Sequence, residues 1–160
     1  TGPANVVDAD SSVSLTVATH SGKIVHNDAA GAVTYTLPAT NANSDSAIAG
    51  PGADLNNLSN VGAKFEIFSS ITKTGDLVVQ VANATDVIIG SASFIDDSSD
   101  NMVGFETAST SDTITLNGST KGGLAGTIIT CKAIGANRWG VQVNTGGTGD
   151  AATPFSAAVS

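Results

Sequence analysis

Charge is what this sequence has least of. Only 12% of its 160 residues are Asp, Glu, Lys or Arg, about half of the ~25% usual in a soluble domain. The six basic residues, Lys23, Lys64, Lys73, Lys121, Lys132 and Arg138, never cluster, and the formal charge is −8. Nucleic-acid binding needs a positive footprint that displaces counterions from phosphates, so that class is excluded. Anionic membrane surfaces are disfavoured for the same reason. Aromatics are scarce too, at 4%, so Val, Ile, Leu and Ala must fill the interior. Cys131 is the single cysteine, which rules out an internal disulfide, and its Ile-Ile-Thr-Cys-Lys-Ala context reads as a buried strand position. No apolar run approaches the ~18 residues of a membrane span, and no basic-then-apolar leader is present. No stretch of ten residues carries a 3.6 period, and no segment recurs at a fixed period, which argues against a solenoid or propeller.

Gly, Ser, Thr, Asn and Ala take the place of charge, in short segments of alternating apolar residues separated by turns. Val13, Leu15 and Val17 alternate with Ser14 and Thr16. Ile24–His26 is a brief strand, and Val33, Tyr35 and Leu37 alternate with threonines until Pro38, which has no N–H to donate, ends the run. Residues 39–60 have no periodicity and read as a loop, with a helical turn expected near Asp54–Leu58. Phe65 and Ile67, then Leu77, Val79 and Val81, resume the alternation. Val87–Ile89 reads as a strand ended by Gly90. Ile114 and Leu116 lead to an Asn117-Gly118 turn. Ile129, Cys131 and Ala133, then Trp139, Val141 and Val143, close the pattern. The expectation is an all-β chain, an antiparallel β-sandwich or barrel, jelly-roll-like, of about eight to ten short strands with flexible termini. It divides into an N-terminal arm (1–12), a single β domain (13–144) and a C-terminal tail (145–160). The apolar residues in these tails, Val6 and Val7 with Pro3, and Pro154 and Phe155, are the expected partner interface.

Catalysis finds little to work with. Nucleophilic chemistry needs Ser or Cys beside a positioned base. His20 and His26 flank an expected Ser21-Gly22 turn and have no nucleophile elbow to serve, so hydrogen-bonded strand-end histidines are the favoured reading. Two histidines and one distant cysteine fall short of a zinc set. The densest carboxylate run is Ile95-Asp96-Asp97-Ser98-Ser99-Asp100-Asn101. It lacks the glycine and terminal glutamate of an EF-hand, so a solvated acidic loop is favoured over a Ca²⁺ site at Asp96, Asp97 and Asp100. Nothing fixes a glycosidase separation between Asp97 and Glu106. The Lys121-Gly122-Gly123 and Thr145–Gly149 segments are not phosphate loops. Trp139 shares a strand face with Val141 and Val143 and belongs in the core. The expectation is a protein that is not an enzyme, with no catalytic residue, no metal and no cofactor.

Several segments carry a resemblance. His20-Ser-Gly-Lys-Ile-Val-His-Asn-Asp-Ala-Ala-Gly-Ala-Val-Thr-Tyr-Thr-Leu-Pro-Ala39 resembles a stretch common in small tailed-phage virion proteins, where a turn precedes an alternating strand that finishes in Leu-Pro-Ala. Asp112-Thr-Ile-Thr-Leu-Asn-Gly-Ser-Thr-Lys-Gly-Gly123 and Asn137-Arg-Trp-Gly-Val-Gln-Val143 are similar to later parts of the same pattern, and Ile88-Ile89-Gly90 to its middle. Together they cover most of residues 20–144. The family is that of phage capsid decoration, or head cement, proteins, with tail-fibre surface domains as the near alternative. The resemblance implies a homotrimer on the outer capsid surface of the virion, whose partners are the major capsid protein and itself. It implies no functional residues. The alternative function is a receptor- or glycan-binding domain of a tail fibre or spike.

Overall fold

The computed structural model describes residues 5–40 and 60–159. Among these residues twelve strands build two sheets that share one apolar core. They are β1 (Val6–Asp8), β2 (Val13–Ser14), β3 (Ile24–Asn27), β4 (Val33–Thr36), β5 (Lys64–Ser69), β6 (Leu77–Gln80), β7 (Val87–Asp96), β8 (Asn101–Glu106), β9 (Thr113–Leu116), β10 (Thr127–Gly135), β11 (Arg138–Gly147) and β12 (Phe155–Ser156). The seven-stranded sheet runs β1-β3-β5-β10-β11-β7-β8 and the five-stranded sheet β12-β9-β6-β4-β2. The chain is an all-β sandwich.

The sheets are mixed, not antiparallel as the sequence suggests. Strands β1 to β6 alternate between the two sheets, odd in one and even in the other. Each strand therefore lies parallel to the one two places earlier: β1·β3, β3·β5, β2·β4 and β4·β6 are all parallel pairs. Parallel neighbours need a crossover of a dozen or more residues, and here the intervening strand of the opposite sheet supplies it. This half of the protein is a two-sheet coil, built without a sequence repeat. The second half closes it. β10 pairs antiparallel with both β5 and β11, β7 adds parallel to β11, and β8 folds back on β7 as a hairpin.

Alternation decides which face is inward. On β10, Ile129, Cys131 and Ala133 are buried, and on β11 Trp139, Val141 and Val143. Trp139 is wholly buried and packs against Phe65, ring centroids 5.7 Å apart and tilted by 55°, a favourable offset for two π-systems. Burial pushes the Cys131 thiol up to about 12, because the interior disfavours the thiolate.

Several local expectations change. Val17 is exposed and begins a single helical turn, α1 (Val17–His20). It starts there because the Thr16 hydroxyl accepts the Thr19 N–H at 3.3 Å, while Nδ1 of buried His20 accepts the Thr16 N–H at 3.0 Å. Gly90 does not end a strand. β7 runs through it to Asp96, because any Cβ at Gly90 would stand 1.8 Å from the Val141 carbonyl oxygen of the adjacent strand. The C-terminal segment is not a tail. β11 continues to Gly147, and β12 pairs with β9, placing Phe155 opposite Ile114 in the core. Nor is the N-terminal segment a free arm, since β1 is the edge strand of the larger sheet and Ala9 is buried behind it. The helical turn expected near Asp54–Leu58 lies outside the described residues. Around that segment, Asn60 Nδ2 donates to the Ala39 carbonyl at 2.8 Å, and Thr40 donates from N and Oγ1 to the Asp86 carboxylate, each at 2.9 Å.

Candidate interface and the polar cluster beneath it

The residues expected at a partner surface separate. Val6 is half exposed and Val7 partly buried on the β1 edge. Pro154 and Phe155 are buried within the protein's own core, so they cannot reach a partner while β12 is in place. Pro3 lies outside the described residues.

Among the described residues, the larger sheet ends in β1 and β8, each paired on one side only. β8 is six residues long, pairs with β7 in unbroken register, and contains no Lys or Pro. Sheet edges are ordinarily blunted by such residues, by bulges or by brevity. The smaller sheet uses brevity, since β2 and β12 have two residues each. Next to β8 the outer face carries one apolar pair, Met102, 72% exposed, opposite Ile95, 52% exposed. Ile89 and Ile134 are exposed further away, on either side of Gly140. A depression of about 350 Å³ adjoins Ile95, with Leu124 among its apolar walls and Asp97 and Asp100 on its acidic side. The acidic turn organises itself. Asp96 accepts the Ser98 N–H and both the Ser98 and Ser99 hydroxyls, and these bonds hold its carboxyl below the usual range. Glu106 sits at the far end of the hairpin from Asp97, opposite Ser91. Five strand residues, roughly 17 Å, separate the two ends, well beyond any glycosidase pair.

Beneath the β1 edge lies a polar cluster. Asn27 ends β3 in phase with Val25, and its side chain points inward, fully buried. Its Nδ2 donates to the Ala9 carbonyl at 3.4 Å, and the buried Tyr35 hydroxyl donates to the same oxygen. Burial raises the Tyr35 phenol to about 12. Lys73 is 2% exposed; its Nζ donates to Asn27 Oδ1 at 3.2 Å and to the Ala29 carbonyl. Burial pushes this amine below its ordinary value, and the charge of Asp10 acts in the opposite direction. The backbone of Lys73 is pinned from two sides. Its N–H donates to the Gly123 carbonyl at 2.9 Å, and its carbonyl oxygen would stand 1.9 Å from a Cβ at Gly118, whose φ of +81° also requires glycine.

At the rim of this cluster Asp8, Asp10 and Asp28, all exposed, bring carboxylate oxygens within 4.8 Å of one another. Asp10 accepts the Asp28 N–H at 2.9 Å, which lowers it, and the hydrogen bond between the two carboxyls raises Asp28. His26 bridges Asp8, Nδ1 to Oδ1 3.4 Å, and Ser70, Nε2 to Oγ 2.8 Å. Sequence reasoning passed over this arrangement. Its readable signal was the inward phase of Asn27, a polar residue where the alternation calls for an apolar one.

No protein-family model, no curated protein and no solved structure matches this chain.

Proposed function

We propose that the protein is a structural virion component, a capsid decoration protein that binds the outer surface of a phage head and stabilises it as a homotrimer. The observation that carries the reading is the unblunted β8 edge, with Met102 and Ile95 exposed beside it in a chain of only 12% charge. An open edge offers main-chain donors and acceptors to a partner strand, while alternate side chains set the register. A surface of small polar residues loses little rotamer entropy when a neighbour covers it. Identical chains usually close into point-group symmetry, and the resemblance of residues 20–144 to decoration proteins selects three copies and a capsid. The tail-fibre alternative, a receptor- or glycan-binding domain, has less support. A sugar platform wants an exposed aromatic ring, and Tyr35, Phe65, Phe94, Trp139 and Phe155 are buried while Phe68 and Phe105 are partly covered.

Light scattering on the purified protein, and a binding assay with capsids lacking it, test the proposal. Met102→Lys puts an ammonium on the open edge and should weaken capsid binding or the trimer while leaving the melting temperature unchanged. A monomer at high concentration that binds no capsid would refute the reading.

A further inference from the structure

Among the described residues, Lys73 and Asn27 are a buried pair whose chemistry the proposed function does not use. We propose that Lys73 and Asn27 join covalently, Nζ to Cγ, in an intramolecular amide that ties the end of β3 to the β5–β6 connection. The inference is independent of the capsid reading and stands on the geometry of the pair. Both side chains are almost wholly buried, and the amine nitrogen lies 3.2 Å from the carboxamide oxygen. Neither can easily leave. The Lys73 N–H donates to the Gly123 carbonyl, and the Lys73 carbonyl lies close against Gly118. Asn27 is held by the Ala9 carbonyl, by the Ser70 N–H on its backbone oxygen, and by pairing with Ser69 across β3·β5. Reactants fixed in a reactive orientation reach effective concentrations of about 10⁵–10⁸ M, which favours an amine–carboxamide exchange within the folded protein.

Burial lowers the Lys73 amine from its ordinary value and so increases the fraction present as neutral amine. A neutral amine has a lone pair to offer, and a lysine desolvated in this way is an activated nucleophile. The balance is complete without a co-reactant. The Nζ–Cγ bond forms, the Cγ–Nδ2 bond breaks, and one proton passes from Nζ to the departing nitrogen, which leaves as ammonia. The Tyr35 hydroxyl stands on the leaving side, sharing the Ala9 carbonyl with Nδ2, where it can relay that proton. The ammonium form gives up its extra proton to water before the neutral amine attacks. The product keeps an oxygen where Asn27 Oδ1 was and a nitrogen where Nζ was, so no buried polar group is orphaned.

Intact-mass spectrometry under denaturing conditions reads the reaction. The protein should be lighter than its sequence by one ammonia, and Asn27→Asp should be lighter by one water, since a carboxylic acid releases water instead. Lys73→Arg should keep its full mass. Trypsin locates the bond in the unaltered protein, so the test survives a variant that fails to fold. An amide on Lys73 blocks cleavage there and leaves residues 65–121 attached to residues 24–64. A succinimide at an asparagine also sheds ammonia, yet it releases residues 65–73 as a free peptide. That result, or full mass after days at 37 °C in folded protein, would overturn the proposal.

Discussion

Replacing Phe155 by Ala separates a C-terminal tail from a C-terminal strand. Phe155 is 7% exposed and belongs to the core cluster, opposite Ile114 in β9. Burying a phenylalanine contributes about 1.5–3 kcal/mol by transfer alone, and truncation to alanine in a core costs about 3–5 kcal/mol once the cavity is included. β12 is a two-residue edge strand, so the site can partly collapse, and the lower end, ~3 kcal/mol, is expected. Asp112 does not relax with it. Its carboxylate still accepts the Thr113 hydroxyl and the Ala158 and Val159 N–H groups, which holds the segment down and keeps the loss local. For a domain of this size each kcal/mol moves the melting temperature by about 2–4 °C, so Phe155→Ala should lower it by roughly 6–12 °C. Trp139 is the single tryptophan and wholly buried, so its fluorescence during urea unfolding reports the same transition. A change below about 1 kcal/mol with an unaltered urea slope would mean that Phe155 is not in the core in solution.

Gly90→Ala should be severely destabilising, by more than the ~1 kcal/mol of an average substitution, because its Cβ would overlap the Val141 carbonyl oxygen; thermal unfolding checks this. Alkaline pH should unfold the protein. The folded-state values of Cys131 and Tyr35 are both raised to about 12, from 9.0 and 10.0, so their stabilisation is full below the lower values and is lost as pH rises towards 12. Each group then contributes a slope of about 1.4 kcal/mol per pH unit, and urea titrations of Cys131→Val and Tyr35→Phe should each show a shallower decline. Removing residues 1–10 should lower the melting temperature, because Ala9 carries the carbonyl that Tyr35 and Asn27 share. Chelator should not move the melting temperature; a fall would place a cation at Asp8, Asp10 and Asp28 or at the Asp96–Asp100 turn.

The inward faces were legible because alternation is a direct imprint of burial. Val33, Tyr35 and Leu37, and Ile129, Cys131 and Ala133, lie where their phase puts them. Strand direction was not, because a period of two is the same for parallel and antiparallel pairs. Short connections ordinarily signal hairpins, but here those from β1 to β2 and from β3 to β4 cross to the other sheet. β8 and the outer half of β7 were hidden by their composition. Gly90, Ser91, Ala92 and Ser93 resemble a turn, yet Gly90 is there because a neighbouring carbonyl leaves no room for a Cβ. β12 was hidden by its length, since two residues carry no periodicity. The Lys73–Asn27 pair spans 46 positions, and no local pattern links residues so far apart. Half of it was nevertheless visible, as a polar residue in an apolar phase.

The coil topology also bears on how the protein can assemble. A sandwich wound alternately through both sheets ties each early strand to its neighbours two steps away in sequence, so β1 cannot be pulled from its edge without uncovering Ala9, Tyr35 and Asn27. The β1 edge is therefore braced from within. β8 is held by its hairpin with β7 and by Phe105 against the core, and it has neither the brevity nor the Lys or Pro that blunt other edges. Of the two open edges, a partner strand gains most at β8, where added pairing extends the sheet and covers Met102 without disturbing the buried polar cluster. A Val6→Lys variant should accordingly bind its partner nearly as well as the unaltered protein, and Met102→Lys should not.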